Sequence, residues 1–390
     1  MEKPRVAFID SNINITYINN LIKDGQSVRG VWRISDDKAI PLTDPLLDTL
    51  SHATLCAKIF LDYTLSACDL FFINIWKEEE SKANINSLII ALSWCLENKI
   101  TLINLSLGTT LVSDISVLFS IINILIKKNI IIVAASSNAQ KLTFPASFSQ
   151  VIGVKSLQCK AGEAGFIYHE NSIDRIEISC YVKEEVIEFQ GNHYPLYAAN
   201  SLAAPIISAK ICNLLMEEGY NSIDKIKMKL KAHSLSLSNN INDNIYQKYF
   251  KKTIDIPIIA IINDNINFNI ASFIQKILTA FTKQGYQGIS LSENNRTNLL
   301  HKTLNLTNFT GYSPMESLHF YAHYCNVDYV IVSGSYEYLF KNVEKEIDII
   351  LYRVEFENFK GIEKIPSIAF SEYKDFDKLF NQMYNCLSVE

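Results

Sequence analysis

The chain has 390 residues, of which 48% are hydrophobic and 20% charged, and this composition excludes intrinsic disorder as its main state. Its length favours two domains or one large one. The formal net charge of -5 excludes a generally basic surface, so we expect no nucleic-acid partner.

Short apolar segments alternate with amphipathic segments through the first part of the chain. The predicted strands and helices follow one another as strand 6–9, strand 69–76, helix 86–97, strand 101–105, helix 113–126, strand 130–134, helix 201–217 and helix 223–232. Continuous apolar strands separated by helices are typical of a parallel sheet that is covered on both faces. The expected fold class is therefore α/β.

The alternation stops at a polar, low-complexity segment, residues 234–243, and then restarts. The second series is predicted as strand 256–262, helix 270–281, strand 288–291, helix 317–324, strand 329–333, strand 347–354 and helix 376–387. We therefore predict a domain at 1–235, a linker or domain edge at 236–255, and a second, smaller α/β domain at 256–390.

Signals for export, membrane insertion and metal binding do not stand out in the sequence. Residues 6–9 are too short for the core of a secretory signal, and the apolar stretch 115–126 falls short of the ~20 residues of a membrane span. The eight cysteines form no Cys-x-x-Cys pair, which argues against a zinc ribbon or a thioredoxin-type site. We expect a cytoplasmic protein with free thiols, no membrane partner, no metal and no cofactor.

Four residues of the first domain have the chemistry of an acyl-transfer site. Asp10 ends a buried strand, His52 begins an apolar helix, Asn138 follows a strand, and Ser201 begins another helix. A serine hydroxyl needs an adjacent base, and a neutral histidine can take its proton. A buried acid orients such a histidine, and a fixed amide stabilises the oxyanion that develops. A helix N-terminus at Ser201 also favours developing negative charge.

The order Asp, His, Ser is one of the known triad orders, and the surrounding segments resemble the motifs of subtilisin-like serine proteases. The matching segments, in order, are Phe-Ile-Asp-Ser at 8–11, His-Ala-Thr at 52–54, Ile-Asn-Leu-Ser-Leu-Gly at 103–108, Ala-Ala-Ser-Ser-Asn at 134–138, Phe-Pro-Ala-Ser with Val-Ile-Gly-Val at 144–154, and Ser-Leu-Ala-Ala-Pro at 201–205. The resemblance covers roughly residues 4–232 and implies a subtilisin-like parallel sheet with helices on both faces.

The resemblance also implies a role for each matched residue. Asp10 would orient His52, His52 would be general base and then general acid, and Ser201 would be the nucleophile. Asn138 would donate its side-chain amide to the oxyanion, with the Ser201 N–H as second donor. Residues 105–108 would pair with substrate backbone. The implied walls of the S1 pocket are Ser106, Leu107 and Gly108 on one side and Ala135, Ser136 and Ser137 on the other.

Several positions depart from the family pattern. Ala199 and Asn200 stand where the family usually has Gly-Thr, and Ala53 and Ser137 stand where it usually has glycine. The Asn200 amide either replaces a threonine hydroxyl as an auxiliary oxyanion donor or simply fills space. We expect no prodomain before Asp10 and no carboxylate cluster suited to calcium.

The function expected from this resemblance is that of a serine endopeptidase acting through an acyl-enzyme. The expected substrate is a specific peptide precursor, as in leader removal during ribosomal peptide maturation, with the second domain recruiting it. The alternative is a catalytically inactive subtilisin-like protein that binds peptide or regulates. The sequence leaves open the cleavage preference and whether copies of the chain form a homo-oligomer.

Two further patterns in the second domain carry weaker signals. His319 and His323 lie one helical turn apart, but no Glu completes a zinc-protease motif between them, which favours an aromatic-rich helix face. Residues 262–268 occupy the place of a phosphate loop without a Gly-rich run, so nucleotide binding is not expected.

Overall fold

The computed structural model divides into two compact units. It describes residues 2–42, 49–76, 83–158, 164–170, 172, 174–218, 222–235, 248–264, 269–293, 297–306, 312–354, 365–371 and 376–387. The first unit comprises Met1–Thr109 and Val117–Ser238, and the second comprises Thr110–Ser116 and Asn239–Glu390. Much of the predicted linker, residues 236–247, lies outside the described residues.

A nine-stranded sheet forms the centre of the first unit. Its strands are β1 (Arg5–Asp10), β2 (Ser27–Ser35), β3 (Lys38–Pro41), β4 (Asp69–Asn74), β5 (Leu102–Leu105), β6 (Ile131–Ala135), β7 (Ile152–Gln158), β8 (Phe166–Tyr168) and β9 (Ile178–Val182). They lie in the order β3-β2-β4-β1-β5-β6-β7-β9-β8. In this spatial order, neighbouring strands from β2 through β9 pair in parallel. The two edge strands, β3 and β8, are each antiparallel to their neighbour. A separate hairpin joins β10 (Glu185–Phe189) to β11 (Asn192–Leu196).

The central strands of this sheet are buried along almost their whole length, since helices cover both of its faces. The helices up to residue 232 are α1 (Ile15–Asn19), α2 (His52–Tyr63), α3 (Ile85–Glu97), α4 (Ile115–Lys127), α5 (Asn200–Glu218) and α6 (Ile223–Ala232). Phe8 of β1 stacks on Phe72 of β4 and meets Phe60 of α2 edge-on, with ring centroids 5.4 Å apart in both pairs. This packing holds α2 against β1, which sets the distance between the two elements that carry Asp10 and His52.

The second unit contains a parallel six-stranded sheet of its own. Its strands are β12 (Ile258–Ile262), β13 (Gly288–Ser292), β14 (Thr303–Asn305), β15 (Tyr329–Gly334), β16 (Ile349–Arg353) and β17 (Ser367–Phe370), in the order β14-β13-β15-β12-β16-β17. Its helices are α7 (Ile270–Lys283), α8 (Pro314–Tyr324), α9 (Tyr336–Asn342) and α10 (Phe376–Leu387). Helices α7 and α10 share one core cluster with the sheet.

The predicted α/β class and the predicted parallel sheet with helices on both faces are confirmed. No helix among the described residues is both long and apolar enough to cross a membrane. In the first unit, the carboxyl ends of β1, β5 and β6 lie side by side, since Ile9 pairs with Leu105 and Leu105 with Ala134. Ligands of open α/β sheets bind at this edge.

Candidate active site

Asp10 is the last residue of β1 and only 3% exposed. Strand β1 lies between β4 and β5 in the middle of the sheet, so its end is surrounded by protein. The backbone N–H of Ser11 donates to Asp10 Oδ1 at 2.7 Å. This bond fixes the carboxylate at the carboxyl edge of the sheet.

His52 is the first residue of α2, and Ser51 is the N-cap of that helix. The Ser51 hydroxyl accepts from Thr54 N–H at 3.2 Å and donates to the backbone carbonyl of Asn12. The serine therefore satisfies one of the free N–H groups at the helix start and also ties it to the loop after β1. As a result His52 lies directly beside Asp10.

The imidazole of His52 and the carboxylate of Asp10 form a close pair. His52 Nδ1 lies 2.9 Å from both Asp10 carboxylate oxygens. With a proton on Nδ1 donated to the acid, Nε2 keeps its lone pair, which is the tautomer that a general base needs. The His52 side chain is 42% exposed, so a substrate can reach it.

A buried thiol lies one helical turn after His52. Cys56 Sγ is 3.9 Å from each ring nitrogen of His52 and donates to Ser106 Oγ at 3.3 Å. The same sulfur lies 3.8 Å from the backbone carbonyl oxygen of Ser201. One side chain thus contacts both the histidine and the start of α5.

The pKa of His52 depends strongly on this neighbour. Negative charge on Cys56 has the largest influence and raises the pKa, burial lowers it, and the Asp10 carboxylate raises it again, which brings the pKa of His52 to about 11. A Cys56 thiol that keeps its proton removes the first of these causes. Cys56 is therefore the neighbour with the largest electrostatic influence on the pKa of His52.

Ser201 lies in the first turn of α5, and its backbone carbonyl has an unusual partner. Pro205 has no N–H, so it cannot donate to the carbonyl four residues earlier, which is that of Ser201. The hydroxyl of Ser106 donates to this carbonyl instead, at 2.8 Å. Ser106 in turn accepts from Asn104 Nδ2 at 3.1 Å, and Asn104 Oδ1 accepts from Ser208 Oγ at 2.9 Å. This buried chain of hydrogen bonds fixes the start of α5 against β5.

The Ser201 hydroxyl itself makes no hydrogen bond to any described residue, and the structure gives none between it and His52. In sites without substrate, such catalytic hydrogen bonds are often long and shorten when substrate binds.

Asn138 lies three residues beyond the end of β6 and is exposed. Its Oδ1 accepts the backbone N–H of Asn200 at 2.9 Å. Because Oδ1 is engaged in this way, the orientation of the amide is fixed and its Nδ2 hydrogens remain available as donors. A donor of this kind is what an oxyanion site requires.

Asn200 joins the start of α5 to two other segments, one after β6 and one in β7. Its Oδ1 accepts from Ser156 N at 2.8 Å and from Ser156 Oγ at 3.0 Å. Its Nδ2 donates to Ser136 Oγ and to the carbonyl of Ser137, both at 3.0 Å. Both Nδ2 hydrogens are used, which excludes Asn200 as an auxiliary oxyanion donor. The residue is more than space-filling, because it fastens α5 to the ends of β6 and β7.

The candidate substrate-binding residues follow β5. Ser106 is buried beneath Ser201, Leu107 is half-buried and Gly108 is exposed. A Cβ on Gly108 would lie 2.7 Å from Thr143 Cγ2 and 2.8 Å from the Phe144 carbonyl, so only glycine fits without a shift. In the described part of the chain, Leu107 and Gly108 belong to no strand pair.

The other candidate wall consists of the residues at the end of β6. Ala135 is 3% exposed and ends the strand. Ser136 N–H donates to the Val154 carbonyl at 2.9 Å, and Ser137 N–H donates to Thr143 Oγ1 at 2.9 Å. The structure therefore brings the two candidate walls to the ends of neighbouring strands.

Sequence reasoning missed the roles of Cys56, Ser156 and the Ser106 hydroxyl. For Cys56 a signal was present, because residues four apart share a helix face and His52 and Cys56 have that spacing. The two histidines of α8 have different partners: His319 Nε2 pairs with Glu346 Oε1 at 3.2 Å, and His323 Nε2 contacts the Thr253 carbonyl at 2.8 Å. These contacts join the two histidines to different parts of the second unit.

A buried acid, an imidazole and a serine at a helix start, on a parallel sheet, are the groups from which a serine hydrolase site is built. The sequence profile of the subtilase family, Peptidase S8, matches residues 3–249, which is more than half of the chain. The chain belongs to the subtilase family of serine peptidases.

Individual relatives are distant. The minor extracellular protease Epr of Bacillus subtilis (strain 168) is 23% identical over 246 residues, which are 60% of this chain and 36% of that protein. The chain therefore spans about a third of the length of this curated relative.

Two solved structures show similarly low identity. The prenylagaramide maturation protease PagA is 16% identical with a TM-score of 0.40, covering 58% of this chain and 81% of its own. The nisin leader peptidase NisP from Lactococcus lactis is 15% identical with a TM-score of 0.46, covering 62% of this chain and 85% of its own.

Proposed function

We propose that this chain is a serine endopeptidase in which Ser201, His52 and Asp10 act as the catalytic triad. The observation that carries the proposal is the pair of 2.9 Å contacts between His52 Nδ1 and the buried Asp10 carboxylate. Membership of the subtilase family supports the same assignment.

Acylation begins when a substrate carbonyl carbon lies against Ser201 Oγ. The hydroxyl attacks this carbon while His52 Nε2 takes the hydroxyl proton. Asp10 keeps its negative charge and stabilises the imidazolium that forms. The tetrahedral intermediate then collapses as His52 returns the proton to the leaving amine. Water repeats the sequence on the acyl-enzyme and releases the second product.

The oxyanion is stabilised by two donors, Asn138 Nδ2 and the backbone N–H of Ser201. A donor of this kind contributes about 10²–10³-fold to kcat, a magnitude that comes from subtilisin itself and is borrowed here. Since Asn138 Oδ1 is already bonded to the Asn200 N–H, the amide is oriented before substrate arrives. Asn200 is thus a positioning residue for the oxyanion donor and for the wall at Ser136 and Ser137.

The substrate we propose is a specific peptide precursor from which a leader segment is removed. Its backbone would extend along Leu107 and Gly108, whose main-chain groups are suited to strand addition, and its P1 side chain would lie between the two walls. The second unit, which the family profile leaves mostly uncovered, is proposed to recruit the precursor. We further propose a cytoplasmic location, in which the free thiols of the described cysteines remain reduced.

The decisive experiment is labelling with a fluorophosphonate, which reacts with activated serines. The proposal predicts one covalent adduct per chain in the native protein and none in Ser201→Ala. The variant Ser149→Ala changes another, exposed serine and serves as a control that keeps the label. Labelling that persists in Ser201→Ala would exclude Ser201 as nucleophile. If the native protein takes no label but still binds peptide, the inactive peptide-binding alternative is the correct one.

A further inference from the structure

Three side chains at the base of the site have the chemistry of metal ligands. Among the described residues, Asp10, His52 and Cys56 form a group whose oxygen, nitrogen and sulfur atoms all lie within 4.8 Å of one another. We propose that these three side chains bind a thiophilic divalent cation, with Zn²⁺ as the representative ion, and that its binding inhibits the peptidase. The inhibition rests on the proposed function, whereas the binding itself does not.

The donor set suits zinc better than the hard cations. Zinc is bound in proteins by thiolate, imidazole and carboxylate, whereas Ca²⁺ and Mg²⁺ take oxygen ligands. Because one of the three donors is a sulfur and one a nitrogen, a calcium or magnesium site is excluded.

The spacing of the donors is close to what the ion needs. Metal–ligand lengths of about 2.0–2.3 Å in a tetrahedron separate neighbouring ligand atoms by roughly 3.3–3.7 Å. Nδ1 of His52 lies 2.9 Å from Asp10 and 3.9 Å from Cys56 Sγ, so the existing distances bracket that range. A small rotation of the imidazole would adjust both distances, and the His52 side chain is 42% exposed, which leaves room for it.

Binding changes the proton positions in a defined way. The Cys56 thiol loses its proton to solvent and becomes a thiolate ligand. A neutral His52 gives Nδ1 to the metal and carries its proton on Nε2 instead. The two negative ligands then balance the charge of the divalent ion. With a proton on Nε2, His52 can no longer accept the proton of Ser201, and acylation stops.

Access to the site comes from the side of His52. Asp10 is 3% exposed and Cys56 is fully buried, whereas the His52 side chain, in contact with both, is 42% exposed. Three protein ligands leave a fourth position for water, which is typical of an exchangeable rather than a structural zinc site.

Metal binding can be measured without any peptidase activity. Cd²⁺ serves as a spectroscopic substitute for Zn²⁺, because a cadmium–thiolate bond gives a charge-transfer band in the ultraviolet. The experiment uses the full chain carrying Ser201→Ala and compares Cys56→Ser with Cys386→Ser, since Cys386 is the exposed cysteine among those described. We expect one tightly bound ion in the Ser201→Ala protein and in the Cys386→Ser variant. In Cys56→Ser we expect the affinity to fall by roughly 100-fold or more, since even a changed outer-shell partner costs 10–100-fold.

A second measurement tests inhibition. Zn²⁺ should slow fluorophosphonate labelling of the native protein and of Cys386→Ser, and a chelator should restore the rate. Cys56→Ser, and Cys56→Ala as a second variant of the same position, should be labelled at rates that Zn²⁺ does not change. A cadmium–thiolate band that persists without Cys56 and disappears with Cys386→Ser would overturn the proposal. Zn²⁺ inhibition of equal strength in the Cys56 variants would overturn it as well. If the native protein takes no label at all, the proposed function fails while the cadmium titration still tests the site.

Discussion

Both units of this protein place carboxylates at the carboxyl ends of parallel strands, but the carboxylates have different partners. In the first unit Asp10 accepts from a titratable imidazole at 2.9 Å. In the second unit Asp264 and Glu293 accept backbone N–H groups of Tyr336 and Ser335, at 3.2 and 3.0 Å. Those N–H groups lie at the start of α9 and have no partner within the helix. A carboxylate at this edge is therefore a catalytic candidate only when its partner can exchange a proton.

The asparagines that follow strands of the two sheets, Asn138 and Asn263, also differ in their partners. In the first unit Asn138 is exposed, and its Oδ1 is fixed by the Asn200 N–H. In the second unit Asn263 follows β12, and its buried Oδ1 has no hydrogen-bond partner among the residues that the structure describes. An exposed amide whose oxygen is already held can present its Nδ2 hydrogens to an oxyanion, and Asn263 lacks this anchoring contact among the described residues.

Replacing the carboxylate at the sheet edge, Asp10 in the first unit and Glu293 in the second, should separate a catalytic role from a structural one most strongly. Asp10→Asn removes the charge that stabilises the His52 imidazolium, and we expect kcat to fall by about 10⁴-fold while the protein stays folded. Glu293→Ala should leave kcat unchanged and lower the free energy of unfolding by about 1–2 kcal/mol, because two capping bonds to Ser335 are lost. Steady-state kinetics and chemical denaturation measure the two quantities. Near-normal kcat in Asp10→Asn would show that the charge of this carboxylate is not needed for catalysis.

The asparagine pair gives the next largest effect. Asn138→Ala should lower kcat by about 10²–10³-fold with little change in KM, because its amide contacts the oxyanion of the transition state rather than the ground-state substrate. Asn263→Ala is the matched variant of the second unit and should leave both constants unchanged. A loss that falls mainly on KM would assign Asn138 to substrate binding instead.

Asn200 offers an intermediate test of positioning. Asn200→Ala removes four hydrogen bonds at the ends of β6 and β7, and small displacements of a catalytic group can cost up to about 10²-fold. We expect kcat to fall by about 10–10²-fold. Asn200→Asp, which keeps the shape but puts a carboxylate against the Ser137 carbonyl, should be as severe, whereas Asn200→Gln should recover part of the rate. A native kcat in all three variants would show that catalysis does not need the hydrogen bonds of the Asn200 side chain.

The smallest effect concerns the pH profile. His52 must be neutral to act as a base, so kcat/KM rises with pH as the imidazole loses its proton. Charge on Cys56 is the largest cause that raises the pKa of His52. Cys56→Ser cannot carry this charge near neutrality, and the acidic limb of the profile should move to lower pH. Cys386→Ser should leave the limb where it is. A shift to higher pH in Cys56→Ser would contradict this electrostatic account.

Part of the fold and the candidate site residues could be predicted from the sequence, because they depend on local patterns. Continuous apolar runs located β1, β4, β5 and β6, and helix α10 was predicted at its observed bounds, 376–387. The sequence predicts Asp10, His52, Asn138 and Ser201 as site residues because they combine the chemistry of acyl transfer with motifs at the end of a strand or the start of a helix. Strands β2, β10 and β11 were missed because they are partly exposed and lack a continuous buried run.

The supporting contacts could not be predicted, because they join residues that are distant in sequence. The Asn200 amide reaches Ser136 and Ser156, 64 and 44 positions away. Its identity alone left two roles open, and its partners show a third, the joining of α5 to β6 and β7. Ser106 was expected to line the pocket, yet its hydroxyl replaces the donor that Pro205 lacks. The contact between Ser106 and the Ser201 carbonyl follows from the packing of α5 against β5, which the sequence does not show.

The proposed mechanism requires Ser201 Oγ to attack a substrate carbonyl carbon while His52 Nε2 lies close enough to take the hydroxyl proton. A crystal structure of the full chain after reaction with a peptidyl fluorophosphonate or peptide aldehyde shows whether both conditions hold. We predict a covalent bond to Ser201 Oγ, His52 Nε2 within hydrogen-bonding distance of the adduct, and Asn138 Nδ2 donating to its oxyanion. An adduct on another residue, or an imidazole that stays out of reach of the adduct, would contradict the account.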